Sequence, residues 1–175
     1  MKIIQLCTTR HFNSIYMNNH SCSTTFSTFG CYHNIFKHIC KHKKSFILLH
    51  DIQVDCSYVN NIRIINESEN DFIAKNVQTN LRIRQLLTLK SQPINENILK
   101  CNFINKNLYG NTGQIINIDV FYIQYFIRRN IIPVISPIGI VNHNSCVYVH
   151  PTDITCYLVP HFDNVTVEYI QCDFL

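Results

Sequence analysis

Glycine is the scarcest useful residue in this 175-residue chain: there are only four. Folds that cradle phosphates on backbone N–H groups draw on glycine, so a phosphate-binding loop is not expected. Charge is also thin, with 15% of residues charged and a net charge of +4. Lys37, Lys41, Lys43 and Lys44 make the one local cluster of like charge. With Tyr32 and Phe36 beside it, the cluster lacks the stacking platform of a single-strand binder and reads as a solvated helix end, so no nucleic-acid partner is expected. No apolar run approaches the ~20 residues of a membrane span. The opening MKIIQLCTTR breaks its short apolar run at Arg10, unlike a secretory leader, and the expectation is a cytoplasmic chain.

Apolar residues are 46% of the chain, enough to bury one sizeable core, and the length fits one domain. Asn and Ile dominate much of the remainder, the mark of an AT-rich coding background. Nine cysteines lack the regular spacing of a disulfide framework and read as small buried hydrophobes in a reducing compartment. Cys31, His33, His38, Cys40 and His42 crowd together, but at spacings that a zinc turn does not use, so no metal site is expected.

The segment 111–153 carries most of the architectural information. It reads as a glycine turn, a strand over 114–118, a helix over 120–129 capped by Asp119, a buried strand over 131–135 and a glycine loop from Pro137 and Gly139. Pro133 inside that strand predicts an edge or a bulge. Earlier, residues 1–30 read as a strand or an arm, 34–42 as a short amphipathic helix, and 46–49 as a buried strand.

A long helix is expected from an Asn66 cap to about Lys90, closed by Pro93. Ile73, Val77 and Leu81 recur every four residues and would form its inner face, extended by Ile83, Leu86 and Leu87. Further strands are expected over 98–104, 146–149 and 165–171. A final helix should start near Pro151, with Asp153 as its cap, and end before Pro160. Strands alternating with helices predict an α/β fold with a largely parallel sheet.

Four local patterns, in order, resemble the amino-acid kinase family, and within it the bacterial N-acetylglutamate synthases. They are Arg10 with Tyr16-Met17-Asn18-Asn19-His20 and Thr25-Phe26; Arg63-Ile64-Ile65-Asn66; Cys101-Asn102-Phe103-Ile104; and Thr112-Gly113-Gln114-Ile115 running on to Pro137. The resemblance implies a three-layer αβα sandwich, here a single truncated domain (1–30 its N-terminal arm) without an acetyltransferase domain and incomplete at its C-terminus.

By the same resemblance, Arg63 would pair with the α-carboxylate of a glutamate-type ligand through its guanidinium fork. Gly113 would let backbone approach a ligand, and Asp153, placed with them at a substrate- or effector-binding site, would support a catalytic lysine or simply cap a helix. Two departures are visible: His50-Asp51-Ile52-Gln53 stands where the family has a glycine-rich loop, and of the Tyr-Asn-x-Asn-x-Asp motif only Tyr148 and Asp153 remain.

The implied reaction is acetyl transfer from acetyl-CoA to glutamate at the entry to arginine biosynthesis. The alternatives are an acetylglutamate kinase using ATP and Mg, and a non-catalytic amino-acid-binding or regulatory subunit. The implied ligands are glutamate, N-acetylglutamate or arginine; a homo-oligomer or a partner enzyme chain would complete the assembly. No catalytic residue is assigned by the sequence.

Overall fold

The computed structural model describes residues 1–7, 23–27, 32–41, 46–59, 62–87, 89–94, 98–142 and 145–172. In chain order the elements begin with β1 (Lys2–Cys7), β2 (Ser23–Ser27), α1 (Tyr32–Cys40), β3 (Phe46–His50), β4 (Cys56–Val59) and β5 (Ile62–Ile65). Next come α2 (Glu69–Leu86), β6 (Ser91–Ile94), β7 (Leu99–Phe103), α3 (Lys106–Tyr109), β8 (Gly113–Ile118) and α4 (Val120–Arg128). The last are β9 (Ile132–Ile135), β10 (Ile138–Val141), β11 (Ser145–Tyr148), α5 (Pro151–Leu158), a 3-10 turn (Val159–His161) and β12 (Thr166–Gln171).

Six strands form one sheet in the order β2–β12–β1–β3–β9–β6, and every pairing in it is parallel. The fold is therefore α/β, as the alternation of patterns predicts. Parallel strands are covered on both faces, and alternate residues of this sheet feed two separate cores. Ile3, Ile47, Leu49, Ile135, Val167 and Tyr169 pack with Ile123 and Phe126 of α4 and Ile154 and Leu158 of α5. Ile4, Leu6, Leu48, Val134 and Ile170 pack with Ile35, Phe36 and Ile39 of α1 and with Ile83 at the far end of α2. A second, four-stranded sheet runs β11–β10–β7–β8, and β4 and β5 form a separate hairpin. A third, smaller core of Ile52, Val54, Ile65, Phe72, Ile138 and Tyr148 joins the hairpin, the start of α2 and the second sheet.

Several expectations hold to within a residue or two. Asp119 caps α4 by accepting from the Tyr122 N–H at 2.9 Å. Phe46–His50 is wholly buried, and β1, read as strand or arm, is an interior strand of the large sheet.

Other expectations are corrected. The cap of α2 is Ser68, not Asn66; its Oγ accepts from the Asp71 N–H at 3.3 Å. The helix stops at Leu86, and Pro93 lies in β6 instead of closing it. The inner face of α2 is Phe72, Asn76, Thr79, Asn80 and Ile83, while Val77 and Leu81 are 50% and 52% exposed. Gly139 lies within β10, paired with Val147, not in a loop. The cap of α5 is His150, whose Nδ1 accepts from the Thr152 N–H at 3.2 Å, so Asp153 sits in the first helical turn instead.

Pro133 lies in an interior strand, against expectation. In a parallel ladder the N–H groups of successive residues point to opposite neighbours. The Ile132 N–H donates toward β6, to the Lys90 carbonyl at 2.9 Å, so position 133 faces β3. Pairing with β3 begins only at Val134. The missing proline N–H therefore leaves the β9–β6 ladder intact and falls on the β3 side, where the pairing is short.

Candidate functional site

Parallel α/β sheets gather their ligand chemistry at the carboxyl ends of the strands. Here that edge carries an unusual amount of buried polarity. The chain leaves β3 through His50 and Asp51, both fully buried. The Asp51 N–H bonds the Leu6 carbonyl at 3.2 Å, which holds the turn against the end of β1. The Asp51 carboxylate accepts from the Ile52 N–H at 2.8 Å and from the Tyr148 hydroxyl at 2.7 Å.

Tyr148, the last residue of β11, also accepts a hydrogen bond from Arg63 Nη1. The guanidinium lies over its ring, 4.6 Å from the centroid, and Nη1 stands 4.0 Å from Asp51 Oδ1. Three residues far apart in sequence thus form one chain: Arg63, Tyr148 and Asp51.

The hairpin that presents Arg63 is fastened on both sides. Arg63 pairs with Tyr58 across β4 and β5. Its carbonyl accepts from Thr112 Oγ1 at 2.7 Å. At the hairpin's base the Asn66 N–H bonds the Asp55 carbonyl at 3.1 Å, and Glu67 Oε1 accepts from the Asp55 N–H and from Lys75 of α2. Arg63 itself is 8% exposed. Burial works against its charge, but Tyr148, Asp51 and the Cys56 thiol outweigh that effect and hold its pKa above the ordinary value. Its Nε is buried and has no hydrogen-bond partner among the described residues. An orphaned donor on a buried cation is a place where an acceptor from a ligand or a water would be stabilised.

His50 extends the network on the other side of Asp51. Its Nδ1 is 3.0 Å from the Asp51 carbonyl and its Nε2 is 3.1 Å from the Asn80 side chain on α2. A carbonyl only accepts, so Nδ1 carries the proton. Burial pushes the imidazole pKa below its ordinary value against those hydrogen bonds, and the ring is neutral at pH 7.

Of the residues singled out from sequence, Arg63 lies in this network. Gly113 begins β8 next to Thr112, the residue that bonds the Arg63 carbonyl; a Cβ on it would meet the Val147 side chain. Asp153 is on the exposed side of the first turn of α5. Asp51, His50, Asn76 and Asn80 were not singled out. Asp51 stood in the sequence only as the residue occupying a glycine position, and two asparagines carry no signal in an Asn-rich chain.

A separate groove of about 510 Å³ lies where Lys100, Asn117, Asp119, Gln124, Tyr157 and His161 converge, and Arg63 does not line it. Cys7, near the network, has its thiol pKa pushed well up by burial and then by Asp51, and Cys101 is pushed up to about 12 by burial, so neither is a ready nucleophile. Among the described residues no three His, Cys, Asp or Glu side chains gather as a metal site requires. Cys31 and His42 of the sequence cluster, and the segment 10–22 with its Arg10 and Tyr16–His20 motif, lie outside the described residues. No helix among the described residues is long and apolar enough to cross a membrane.

No protein-family model and no curated protein sequence matches the chain. Solved structures share its fold. N-acetylglutamate synthase from Neisseria gonorrhoeae, complexed with coenzyme A and L-arginine, superposes with a TM-score of 0.61 at 10% identity, over 96% of this chain and 42% of the synthase. The same enzyme with coenzyme A and N-acetyl-glutamate gives 0.59 at 10% identity, over 96% and 41%. The protein smu.665 from Streptococcus mutans UA159 gives 0.58 at 16% identity, over 91% of this chain and 68% of its own. The chain thus spans about two-fifths of the synthase, and these likenesses establish a shared fold.

Proposed function

We propose that the chain is an amino-acid-binding domain of the amino-acid kinase type, related to N-acetylglutamate synthase, and that it takes glutamate or N-acetylglutamate by a carboxylate at Arg63. The observation that carries this reading is the buried guanidinium at the carboxyl edge of the parallel sheet, with an Nε unpartnered among the described residues. Asp51 and Tyr148 occupy one side of the fork, and the Nε–H is left to donate to an anion. Binding, and not catalysis, is what these residues supply. The carboxylate of Asp51 is engaged and the His50 lone pair faces Asn80, so neither stands ready to deprotonate a substrate amine.

The shared fold with a synthase solved with coenzyme A supports a second reading, acetyl transfer to glutamate within an assembly. Coenzyme A carries a pyrophosphate, which is held by glycine-turn N–H groups or clustered cations. The apolar cluster that Tyr148 joins beside Arg63 is instead Ile52, Val54, Ile65, Phe72 and Ile138. These side chains do not fit coenzyme A, so no donor site is assigned to them. A kinase reading, with ATP and Mg, asks for the same phosphate donors and gains nothing here.

The test is calorimetric titration of glutamate, N-acetylglutamate and arginine into the purified chain and into Arg63→Lys. Lysine keeps the charge but loses the planar fork. Saturable binding of glutamate or N-acetylglutamate, weakened about tenfold or more by the substitution, is expected. Absence of binding at about 10 mM ligand, some 2.7 kcal/mol weaker than a 0.1 mM site, overturns the reading.

A further inference from the structure

The inner face of α2 is polar where it should be apolar. Phe72 and Ile83 pack into two different cores, and between them Asn76 and Asn80 are only 3% and 5% exposed, with Thr79 beside them. Residues four apart on a helix stack on one face, so the two amides lie on successive turns, against the end of β3. Burying an amide with part of its hydrogen-bonding capacity unmet destabilises the fold, and two such amides side by side call for an occupant.

Both amides have unmatched atoms: among the described residues, Asn76 Oδ1 and Asn80 Nδ2 have no partner. The His50 geometry determines what Asn80 offers. With its proton on Nδ1, toward the Asp51 carbonyl, the neutral ring presents a lone pair at Nε2. That lone pair needs a donor, and the Asn80 amide turned so that Nδ2 faces His50 provides one at the same separation. The Asn80 carbonyl oxygen then takes the orphaned position. In that orientation Asn76 and Asn80 together present two buried carbonyl acceptors without a partner among the described residues.

We propose that Asn76 and Asn80 form a recognition subsite for an N–H group of the ligand, an amine or an amide nitrogen. This deepens, and rests on, the reading of Arg63 as the partner of the ligand's carboxylate. Arg63, Tyr148 and Asp51 are linked by hydrogen bonds, Asp51 is linked to His50, and His50 to Asn80. The carboxylate partner and the N–H subsite therefore belong to one continuous network. An α-amino acid or its N-acyl derivative carries both a carboxylate and an N–H group. A 2-oxo acid carries the carboxylates without the N–H, and a site built around buried acceptors discriminates against a ligand that leaves them unpaired.

The experiment is calorimetric titration of the full chain with glutamate, N-acetylglutamate and 2-oxoglutarate, repeated with Asn76→Leu and Asn80→Leu. At least one nitrogen-bearing ligand should bind about tenfold or more tightly than 2-oxoglutarate. Asn76→Leu should erase that preference while leaving the affinity for 2-oxoglutarate within about twofold. Preference for glutamate alone assigns the subsite to an ammonium, and for N-acetylglutamate alone to an amide N–H. Equal binding of all three ligands by the unaltered chain overturns the subsite while leaving the Arg63 reading standing; binding of none removes both. A preference that survives both leucine substitutions also overturns the inference. Thermal melts verify folding of each variant, and Asn76→Ala takes the place of the leucine variant if leucine proves too large.

Discussion

Replacing Tyr148 by phenylalanine removes one oxygen from the centre of the buried network and nothing else. That oxygen donates to Asp51 at 2.7 Å and accepts from Arg63. Hydrogen bonds to charged groups contribute about 1.5–3 kcal/mol each, so the gross loss is about 3–6 kcal/mol. Two features offset part of it. The ring stays in place beneath the guanidinium, keeping the 4.6 Å cation–π contact. Arg63 and Asp51, already 4.0 Å apart, can also close into a direct pair. The net cost expected is about 3 kcal/mol.

For a chain of this length that corresponds to a melting temperature lowered by roughly 6–12 °C. Urea unfolding gives the difference directly, as a lower midpoint at unchanged slope. A double-mutant cycle with Asp51→Asn should return a coupling of about 1 kcal/mol or more, because contacting residues in one network are not additive. A Tyr148→Phe cost under about 0.5 kcal/mol, the range of ordinary surface changes, would refute the claim that this hydroxyl joins Arg63 to Asp51.

Three further outcomes follow from the same geometry. Buried His50 has its pKa below the ordinary value, so the unfolded chain takes up a proton that the fold rejects. Stability is full above about pH 6.5 and is lost as pH falls below it. Urea midpoints at pH 7.5 and 5.5 should differ less in His50→Gln than in the unaltered chain, and equal differences would contradict this. Gly110 has φ +59°, and a Cβ there would collide with the Ile65 carbonyl oxygen. Gly110→Ala should cost about 2 kcal/mol or more in urea unfolding, and a cost below about 0.5 would contradict the strained turn. Leu81→Lys, on the outer face of α2, should change stability by no more than about 0.5 kcal/mol, whereas a buried position would lose several.

Local pattern and tertiary context divide sharply in this chain. The run Phe46–Leu49 is legible because parallel strands are buried on both faces and read as continuous apolar sequence. Asp119 is legible because a carboxylate one residue before an apolar-periodic segment has a single economical use, accepting the first free N–H groups. The inner face of α2 is not legible. Ile73, Val77 and Leu81 give the stronger helical period, but the helix turns Phe72, Asn76, Asn80 and Ile83 inward because His50 offers a polar partner at the strand end.

The site divides the same way. An arginine opening a family-like motif points to Arg63, and the structure puts it in a buried network. Its partners come from residues 51 and 148, which follow β3 of one sheet and end β11 of the other and meet through a hydrogen bond that no spacing along the chain encodes. Pro133 fails as an edge marker for a related reason: the penalty depends on which neighbour the missing N–H faces, and that is a property of the ladder.

The central claim is that Arg63 meets a ligand's carboxylate at the carboxyl edge of the parallel sheet. A crystal structure of the chain grown with N-acetylglutamate tests it most directly. The account predicts a ligand carboxylate oxygen about 2.7–3.0 Å from the Arg63 guanidinium. Ligand density confined to the groove between Lys100 and His161, with Arg63 still bound only to its own chain, would contradict it.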